Sequence, residues 1–445
     1  MNKLNHWRMA CIFFSFCAAT AIASPAQNFK TLASFDGTGG AVPYAGLMQG
    51  TDGNFFGTTY NGGTTNSDCA PSGCGMVFKI TAAGKLTTLY TFCSQTNCTD
   101  GAQPYAGLLQ ASDGNFYGTT QLGGNDACTE GCGTVFKLTP GHGLTTLHSF
   151  NGTDGFSPYA PLVRAADGNF YGTTGQQGDN TSGTVFKITP AGKLTTLYTF
   201  CSQSNCADGA DPWAGLVQGT DGSFYGTTSE GGTHICRTLG THKIGCGTVF
   251  KISSQGKLTK LYNFCSRGGV NCTDGVAPLA GLVQAADGNF YGTTSEGGAN
   301  AHGTVFKITA AGKLTTLYSF CSQTNCTDGS LPQAALVQAT SGRFYGTTSA
   351  GGASDDGTVF ELSVGLGPFV QTLPTSGKVG AKVIILGDHL SGTTSVSFNG
   401  TAADFKVIRS SEITTTVPAG ATGGTVEVTT PKGKLTSNVA FRVMP

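Results

Sequence analysis

The alternation of apolar and polar positions between residues 104 and 150 predicts four consecutive β-strands. PYAGLLQA is an apolar run with small residues, which is typical of a buried strand, and NFYGTT alternates after an Asp-Gly turn signal. GTVFKLT and LTTLHSF supply two more strands, with a glycine-containing turn between them. We name these strands A, B, C and D in chain order. Four antiparallel strands joined by short turns are typical of one blade of a β-propeller.

The motif DGNFYGTT, which contains strand B, recurs along the chain with small changes. Its copies begin at Asp52, Asp113, Asp167, Asp221, Asp287 and Ser341, so that neighbouring copies lie 54 to 66 residues apart. Six copies at such a spacing indicate that one unit has been multiplied into an array.

The two ends of the array predict that it closes on itself. NFKTLASF, at residues 28–35, matches strand D of the fifth repeat, LTTLYSF, whereas the sixth repeat has strands A, B and C and then no D. We therefore expect residues 29–35 to pair with strand C at residues 357–363. The prediction is an all-β fold, a six-bladed β-propeller over residues 29–363, because closure removes exposed sheet edges. An open stack would need distinct capping repeats, and none is visible in the sequence.

The repeat resembles the tandem GloVer-type repeat of exported bacterial proteins. The resemblance rests on the segments DGNFYGTT, GTVFK and AGKLTTLYTF and covers about three quarters of the chain. It implies export and, often, a C-terminal device for surface anchoring. It implies no known catalytic residues.

The pattern changes after Leu362, where short β runs are broken by Gly, Pro and Asn, as in a small β-sandwich. Residues 368–445 resemble an IPT/TIG domain, which has an immunoglobulin-like fold. The matching positions are Pro374, Gly377, Gly380, Val383, Gly387, Leu390, Val396, Phe398, Gly400, Pro418, Gly424, Val426, Val428, Gly433 and Phe441. The segment has no cysteine, which excludes a disulfide-clamped antibody-type core. The resemblance implies a spacer or adhesion role.

The N-terminus predicts export. Residues 1–23 combine Lys3 and Arg8 with an apolar run and small residues at 21–23, the features of a signal peptide, and no other stretch approaches the length of a membrane span. We expect a protein that is secreted, at the cell surface or periplasmic. The formal net charge is zero without a basic run, which argues against nucleic-acid binding.

Fourteen of the sixteen cysteines fall into close pairs after the leader. The pairs are Cys69 and Cys74, Cys93 and Cys98, Cys128 and Cys132, Cys201 and Cys206, Cys236 and Cys246, Cys265 and Cys272, and Cys321 and Cys326. In an exported chain such pairs predict disulfides. Zinc is the alternative, but pairs scattered one per loop are not expected to bring four ligands together.

All seven cysteine pairs fall in the D-to-A and B-to-C connections, which share one face of a propeller, and the B-to-C loops vary in length. Such variation marks a working face, or neutral drift in exposed loops. Near this face, strand A begins with an aromatic residue in four repeats: Tyr44, Tyr105, Tyr159 and Trp213. These rings are candidates for a stacking platform that binds a polysaccharide or protein. The alternative is that they pack between neighbouring blades.

Two polar sets provide weaker candidates. Five carboxylates precede strand A, each before a glycine: Asp100, Asp154, Asp208, Asp274 and Asp328. They are candidates for Ca²⁺ ligands, although Asp-Gly is also a common turn signal. The longest loop holds His234, Cys236, His242 and Cys246, for which zinc is the alternative to a disulfide with exposed histidines.

Catalytic motifs are lacking, because neither GxSxG nor HExxH occurs. The candidate catalytic acids and bases, chosen only because they fall on the face with the variable loops, are Asp208, Asp211, Glu230, His234 and Glu296. The leading hypothesis is therefore an exported, non-catalytic binding or adhesion protein without a cofactor. The alternatives are a propeller enzyme that acts on a carbohydrate or ester, and a purely structural surface-layer component.

Overall fold

The structure is a computed structural model. It describes residues 32–444, apart from gaps at 51–53, 64–68, 70, 82, 112, 126–127, 129, 166, 176–181, 240–241 and 268–271. The predicted signal peptide and residues 28–31 therefore lie outside the described residues. Among the described residues, the fold is all-β, with short 3₁₀ turns at Thr96–Cys98, Ser204–Cys206 and Thr324–Cys326.

The repeats form consecutive antiparallel sheets, each built from neighbouring strands in chain order. The first sheet contains β1 (Met48–Gln49), β2 (Phe55–Thr59), β3 (Met76–Ile80) and β4 (Leu86–Thr91), and the second β5 (Leu109–Gln110), β6 (Phe116–Thr120), β7 (Thr134–Thr139) and β8 (Gly143–Ser149). The third contains β9 (Val163–Arg164), β10 (Phe170–Thr174), β11 (Thr184–Ile188) and β12 (Leu194–Thr199).

The fourth sheet carries an additional hairpin. It contains β13 (Val217–Gln218), β14 (Phe224–Thr228), β17 (Thr248–Ile252) and β18 (Leu258–Asn263), and the inserted hairpin contains β15 (Ile235–Leu239) and β16 (His242–Gly245). The fifth sheet contains β19 (Val283–Gln284), β20 (Phe290–Thr294), β21 (Thr304–Ile308) and β22 (Leu314–Ser319), and the sixth β23 (Val337–Gln338), β24 (Phe344–Thr348) and β25 (Thr358–Leu362). Among the described residues, no strand pairs with the outer edge of β25. The predicted closing strand is thus not seen and remains a prediction.

Strand A is shorter than its apolar run predicts. In the second repeat only Leu109–Gln110 pairs with strand B, and the preceding PYAG segment is irregular. The carbonyls of this segment are instead satisfied from the preceding sheet, because Thr58 Oγ1 donates to the Ala106 oxygen at 2.9 Å. Thr227 donates to Ala280 in the same way at 3.1 Å. In the first five repeats, the first threonine of the GTT motif therefore links one sheet to the next.

The glycine of FYGTT and the phenylalanine of TVFK are complementary in size. Gly118 lies directly opposite Phe136 in the β6–β7 ladder, and a Cβ on Gly118 would lie 2.6 Å from the Phe136 ring. The buried ring thus covers the position that a side chain would otherwise fill. Between sheets, Tyr117 packs on Phe170 with ring centroids 4.2 Å apart, so aromatic contacts run from one sheet to the next.

The C-terminal unit consists of two four-stranded sheets packed face to face. One contains β26 (Gln371–Leu373), β28 (Lys382–Leu386), β32 (Glu412–Thr416) and β31 (Phe405–Arg409), and the other β30 (Thr401–Ala402), β29 (Ser395–Phe398), β33 (Val426–Thr430) and β34 (Gly433–Thr436). A parallel pair, β27 (Ser376–Lys378) and β35 (Arg442–Met444), completes the unit. Ile385, Ile413 and Val428 are buried in its core, as the alternating pattern of a sandwich requires.

Candidate functional site

The four aromatic residues predicted from the repeat lie side by side. Ring centroids are 4.8 Å apart between Tyr44 and Tyr105, 5.5 Å between Tyr105 and Tyr159, and 5.3 Å between Tyr159 and Trp213. The contacts cross three sheet boundaries, so pseudo-symmetry turns four distant residues into one surface. We call these four residues the aromatic row.

The aromatic row is both packed and open to solvent. Tyr44 is 58% exposed, Tyr105 38% and Trp213 43%, whereas Tyr159 is half-buried between its neighbours. The rings therefore pack against rings of neighbouring repeats and also expose part of their surface to solvent. Burial, together with the neighbouring Tyr44 and Tyr159, raises the pKa of Tyr105, so the Tyr105 hydroxyl stays protonated at neutral pH.

Polar contacts fix the aromatic row from one repeat to the next. The Tyr60 hydroxyl donates to Gln103 Oε1 at 2.8 Å, and Gln121 Nε2 donates to the Tyr159 hydroxyl at 3.0 Å. Tyr60 also packs edge-on against Tyr44, with ring centroids 5.4 Å apart. Tyr60, Gln103 and Gln121 were not among the candidates predicted from sequence, because their roles depend on contacts between different repeats.

In all six repeats, the residue two positions before the aromatic-row residue, or before its equivalent in the fifth and sixth repeats, has a left-handed backbone. The six residues are Val42, Gln103, Ser157, Asp211, Ala277 and Leu331, with φ between 51° and 56°. Because the conformation recurs in repeats with and without an aromatic ring, it belongs to the architecture. Only the side chain at this position varies, and Asp211 is the ionisable one.

Asp211 lies beside Glu230 at the Trp213 end of the aromatic row. Ala210 and Glu230 form an antiparallel bridge with hydrogen bonds of 2.9 and 3.1 Å. The Asp211 carbonyl accepts from the backbone nitrogens of Ser229 and Trp213, both at 3.0 Å. Burial of the Asp211 carboxyl, reinforced by the negative charge of Glu230, raises its pKa to about 7.

The remaining acid–base candidates do not converge with this pair. The Asp208 carboxylate accepts hydrogen bonds from Tyr198 of β12 and from Ser202 of its own connection. Glu296 forms an ion pair with Arg237 of the inserted hairpin, and His234 lies 3.4 Å from the Thr233 hydroxyl. Of the five candidate catalytic residues named from the sequence, the structure brings together Asp211 and Glu230.

The predicted Asp set is engaged in its own loops. Asp100 is fully buried and accepts from the Tyr90 hydroxyl at 2.7 Å and from the backbone and hydroxyl of Ser94. Asp154, Asp208, Asp274 and Asp328 each form a comparable bond with a residue of the preceding strand D, namely His148, Tyr198, Tyr262 and Tyr318. Because the Oδ2 atom of each carboxylate accepts a local hydrogen bond, the geometry favours the turn interpretation over a shared calcium site.

All seven predicted cysteine pairs are disulfides in the structure: 69–74, 93–98, 128–132, 201–206, 236–246, 265–272 and 321–326. The expectation that such pairs do not bring four ligands together is wrong for the first two pairs, and two further pairs also approach each other. The sulfurs of Cys69, Cys74, Cys93 and Cys98 lie within 4.8 Å of one another, and Cys236 Sγ lies 3.9 Å from Cys272 Sγ. The cause is that the B-to-C loop and the D-to-A connection meet on one face. Of the four candidate zinc ligands in the longest loop, His242 has a side chain that lies outside the described part of the structure.

The opposite face carries a repeated Asp–Tyr–Lys cluster that the sequence analysis did not identify. Asp167 Oδ2 accepts from the Tyr171 hydroxyl at 2.8 Å and from Lys187 Nζ at 3.0 Å, and Lys187 lies over the Tyr171 ring. The same cluster recurs at Asp221 and Asp287. Its signal in the sequence is an Asp four residues before a Tyr, with a Lys in strand C. The repetition indicates a structural role.

The repeat sequences show to which family the chain belongs. The model of the Gloeobacter/Verrucomicrobia repeat matches residues 20–241 and 237–403, and the model of the IPT/TIG domain matches residues 369–443. The chain belongs to the Gloeobacter/Verrucomicrobia repeat family. No curated protein matches the sequence of this repeat protein.

Solved structures similar to this repeat protein include several enzymes. The periplasmic gluconolactonase PpgL of Pseudomonas aeruginosa is 13% identical, with a TM-score of 0.39, over 84% of this chain and 98% of that chain. A fungal alcohol oxidase of the AA5 family in complex with copper is 12% identical, with a TM-score of 0.38, over 91% and 98% of the two chains. At such TM-scores the likeness carries no inference about function.

The disulfides of the Gloeobacter/Verrucomicrobia repeats indicate an extracellular or periplasmic protein. Over residues 32–444, gaps excepted, no helix is long and apolar enough to cross a membrane.

Proposed function

We propose that this protein is exported and binds a polysaccharide through the aromatic row, without catalysis, with the IPT/TIG domain as a spacer or adhesion module. The observation that carries the proposal is the unbroken contact from Tyr44 to Trp213 on the face with the variable loops. Rings that are rigid, exposed and provided with polar groups suit the stacked, hydroxyl-rich surface of a sugar chain. A protein ligand is the other outcome of the test.

The experiment is a binding screen against soluble glycans, cell-wall fractions and surface proteins, with Trp213→Ala and Tyr44→Ala beside the wild type. We expect about a tenfold or greater loss of affinity for the bound glycan in each variant, because truncation of an aromatic anchor costs about 1–2 kcal/mol or more. The control is Ile408→Ala, which removes a 46% exposed side chain from the IPT/TIG domain. Equal binding by all four proteins would exclude the aromatic row as the site.

The alternative function is an enzyme that acts on a carbohydrate or ester. The pair of Asp211 and Glu230 favours it, since a carboxyl whose pKa is raised to about 7 suits general acid catalysis. Turnover of a bound glycan or ester that is abolished by Asp211→Asn would establish the enzyme and overturn the non-catalytic proposal.

We further propose that the repeats form a closed six-bladed propeller, with residues 29–35 as the fourth strand of the last sheet. Leu32 and Phe35 contact the first sheet as strand D of the fourth sheet contacts the fifth. A Cβ on Gly84 would lie 2.4 Å from the Leu32 oxygen, and the Phe35 and Phe78 rings are 5.2 Å apart. The corresponding values for Gly312 with Leu261, and for Phe264 with Phe306, are 2.5 and 5.3 Å.

The open edge of β25 supports the same proposal. Val359 is 80% exposed, whereas the equivalent valines of the other sheets, Val77, Val135, Val185, Val249 and Val305, are fully buried. By the register of the fifth sheet, in which Val305 pairs with Tyr318, residue 359 would pair with Ala33.

Oxidation of the Ala33→Cys/Val359→Cys double variant tests this pairing. We expect the new disulfide in peptide mapping of the folded protein, whereas Ala33→Cys/Val337→Cys should form none. Absence of the first bond, together with fast hydrogen exchange at residues 358–362, would show that the array is open.

A further inference from the structure

The Trp213 end of the aromatic row differs in charge from the remainder. Asp211 precedes Trp213 by two residues, and the bridge between Ala210 and Glu230 holds Glu230 beside it. The other row positions have Val42, Gln103 and Ser157 in place of Asp211. One end of an otherwise neutral aromatic surface thus carries two carboxylates.

This inference rests on the proposed binding function and names the class of ligand. We propose that the Trp213 end of the aromatic row binds a polysaccharide that carries protonated amines, with Asp211 and Glu230 as the groups that recognise the amine. The aromatic row supplies the stacking surface, and the two carboxylates supply charge complementarity.

The fold does not require this pair of carboxylates. The positions equivalent to Glu230 are Asn61, Leu122, Gln176, Glu296 and Ala350, and all the repeats form the same local backbone around the position of Asp211. Glu296 is the other acid in this set, but Arg237 neutralises it, and Ala277 stands where the fourth sheet has Asp211. The fourth repeat is therefore the one that places two carboxylates together.

The Asp211 carboxylate lacks a compensating partner among the described residues. Its carbonyl is fully hydrogen-bonded, but its side chain receives no hydrogen bond in the described part of the chain, and Glu230 is the charge that acts on it. Partly buried carboxylates without a donor are unfavourable. A bound ammonium group would offset that cost, and the exposed face of Trp213 adds attraction for a cation.

The experiment compares oligosaccharides that differ in the charge of one group. The probes are a fully deacetylated glucosamine oligomer, its N-acetylated counterpart of the same length and linkage, and a glucose oligomer. We expect the wild type to bind the amine form about tenfold more tightly than the acetylated form, because a charge-assisted hydrogen bond contributes about 1.5–3 kcal/mol. The preference should weaken at high salt.

The variants separate this inference from the proposed function. Asp211→Asn and Glu230→Gln should abolish the preference and retain binding of the glucose oligomer, whereas Trp213→Ala should weaken binding of all three oligomers. Glu296→Gln is the matched control, since its carboxylate already pairs with Arg237, and it should keep the preference.

Two results would overturn the inference. Equal binding of amine and acetylated forms by the wild type would leave the aromatic row as the site and remove the amine as its ligand. A preference that disappears when divalent cations are chelated would show that the two carboxylates hold a metal ion instead. Failure to bind any of the three oligomers would also overturn the inference, and failure to bind every glycan of the broader screen would contradict the proposed function itself.

Discussion

At the residue scale, the repeat motif is explained by contacts between atoms that are far apart in sequence. The glycine of FYGTT accommodates the phenylalanine ring of TVFK, and the first threonine of GTT donates to the next repeat. The spacing of these residues is visible in the sequence, and so is their membership of strands. Their partners are not, because a repeat pattern does not state which copy contacts which.

Gly118→Ala should destabilise the repeat array by about 1–3 kcal/mol, as overpacking of a filled core does. The new Cβ would lie 2.6 Å from the Phe136 ring, which has little space to move. Gly46→Ala is the control, because a Cβ there meets nothing within 4 Å and its φ is ordinary. Denaturant unfolding measures both, and equal midpoints would contradict the packing argument.

Asp211→Asn should change stability in a pH-dependent way. Burial and the charge of Glu230 raise the Asp211 pKa from 3.8 to about 7, so the folded state binds more protons than the unfolded state. Stability should therefore fall as pH rises from about 4 through 7, and the uncharged Asn should avoid this loss. We expect the variant to melt about 1–3 °C above the wild type at pH 8.

Near pH 3.5 the same variant should come close to the wild type, since Asp211 is protonated in the folded state and mostly protonated in the unfolded state there. Glu230→Gln should reproduce part of the gain at pH 8. A melting temperature of Asp211→Asn below that of the wild type at pH 8 would show that the carboxylate has a stabilising partner.

At the element scale, the D-to-A and B-to-C connections meet on one face, and every candidate site lies there. The bridges between Ala102 and Leu122, and between Ala210 and Glu230, join the segment before strand A to the residue after strand B. This junction brings the disulfides together, exposes the aromatic row and pairs Asp211 with Glu230. Sequence reasoning assigned the loops to a common face but did not predict which side chains touch within it.

The Cys93–Cys98 disulfide should contribute more to stability than Cys321–Cys326. Both close loops of equal length, for which the chain-entropy model gives about 2 kcal/mol. Cys93 and Cys98 are also buried in a core with the Cys69–Cys74 pair, whereas Cys321 and Cys326 are half-buried. Guanidinium unfolding of the two double Cys→Ser variants measures the difference, and equal losses would show that burial adds nothing.

At the scale of the whole molecule, the repeat array and the IPT/TIG domain have separate cores. The core of the IPT/TIG domain lies between Val370 and Phe441, and the repeat cores lie between Phe56 and Phe344. The link between them is short. Val364 and Leu366 pack on the sixth sheet, and the Phe369 nitrogen donates to the Thr340 oxygen at 2.9 Å.

Residues 368–445 alone should therefore fold and unfold in a single cooperative transition. Residues 24–367 should retain the glycan affinity of the full chain, because the aromatic row lies within the repeats. Circular dichroism melting and the oligosaccharide titrations check the two expectations. An unfolded C-terminal fragment, or lost affinity in the repeat fragment, would show that the two units depend on each other.

The sequence by itself determined the all-β class, the repeat unit, the cysteine pairs and the IPT/TIG domain. Each of these follows from local periodicity, turn residues and spacing, which are properties of neighbouring positions in the chain. The tertiary structure decided which repeats touch, and thus joined Tyr44, Tyr105, Tyr159 and Trp213 into one surface and set Asp211 beside Glu230. Those contacts depend on the stacking of one sheet on the next. They escape sequence reasoning because a repeated pattern does not state which side chains of neighbouring copies touch.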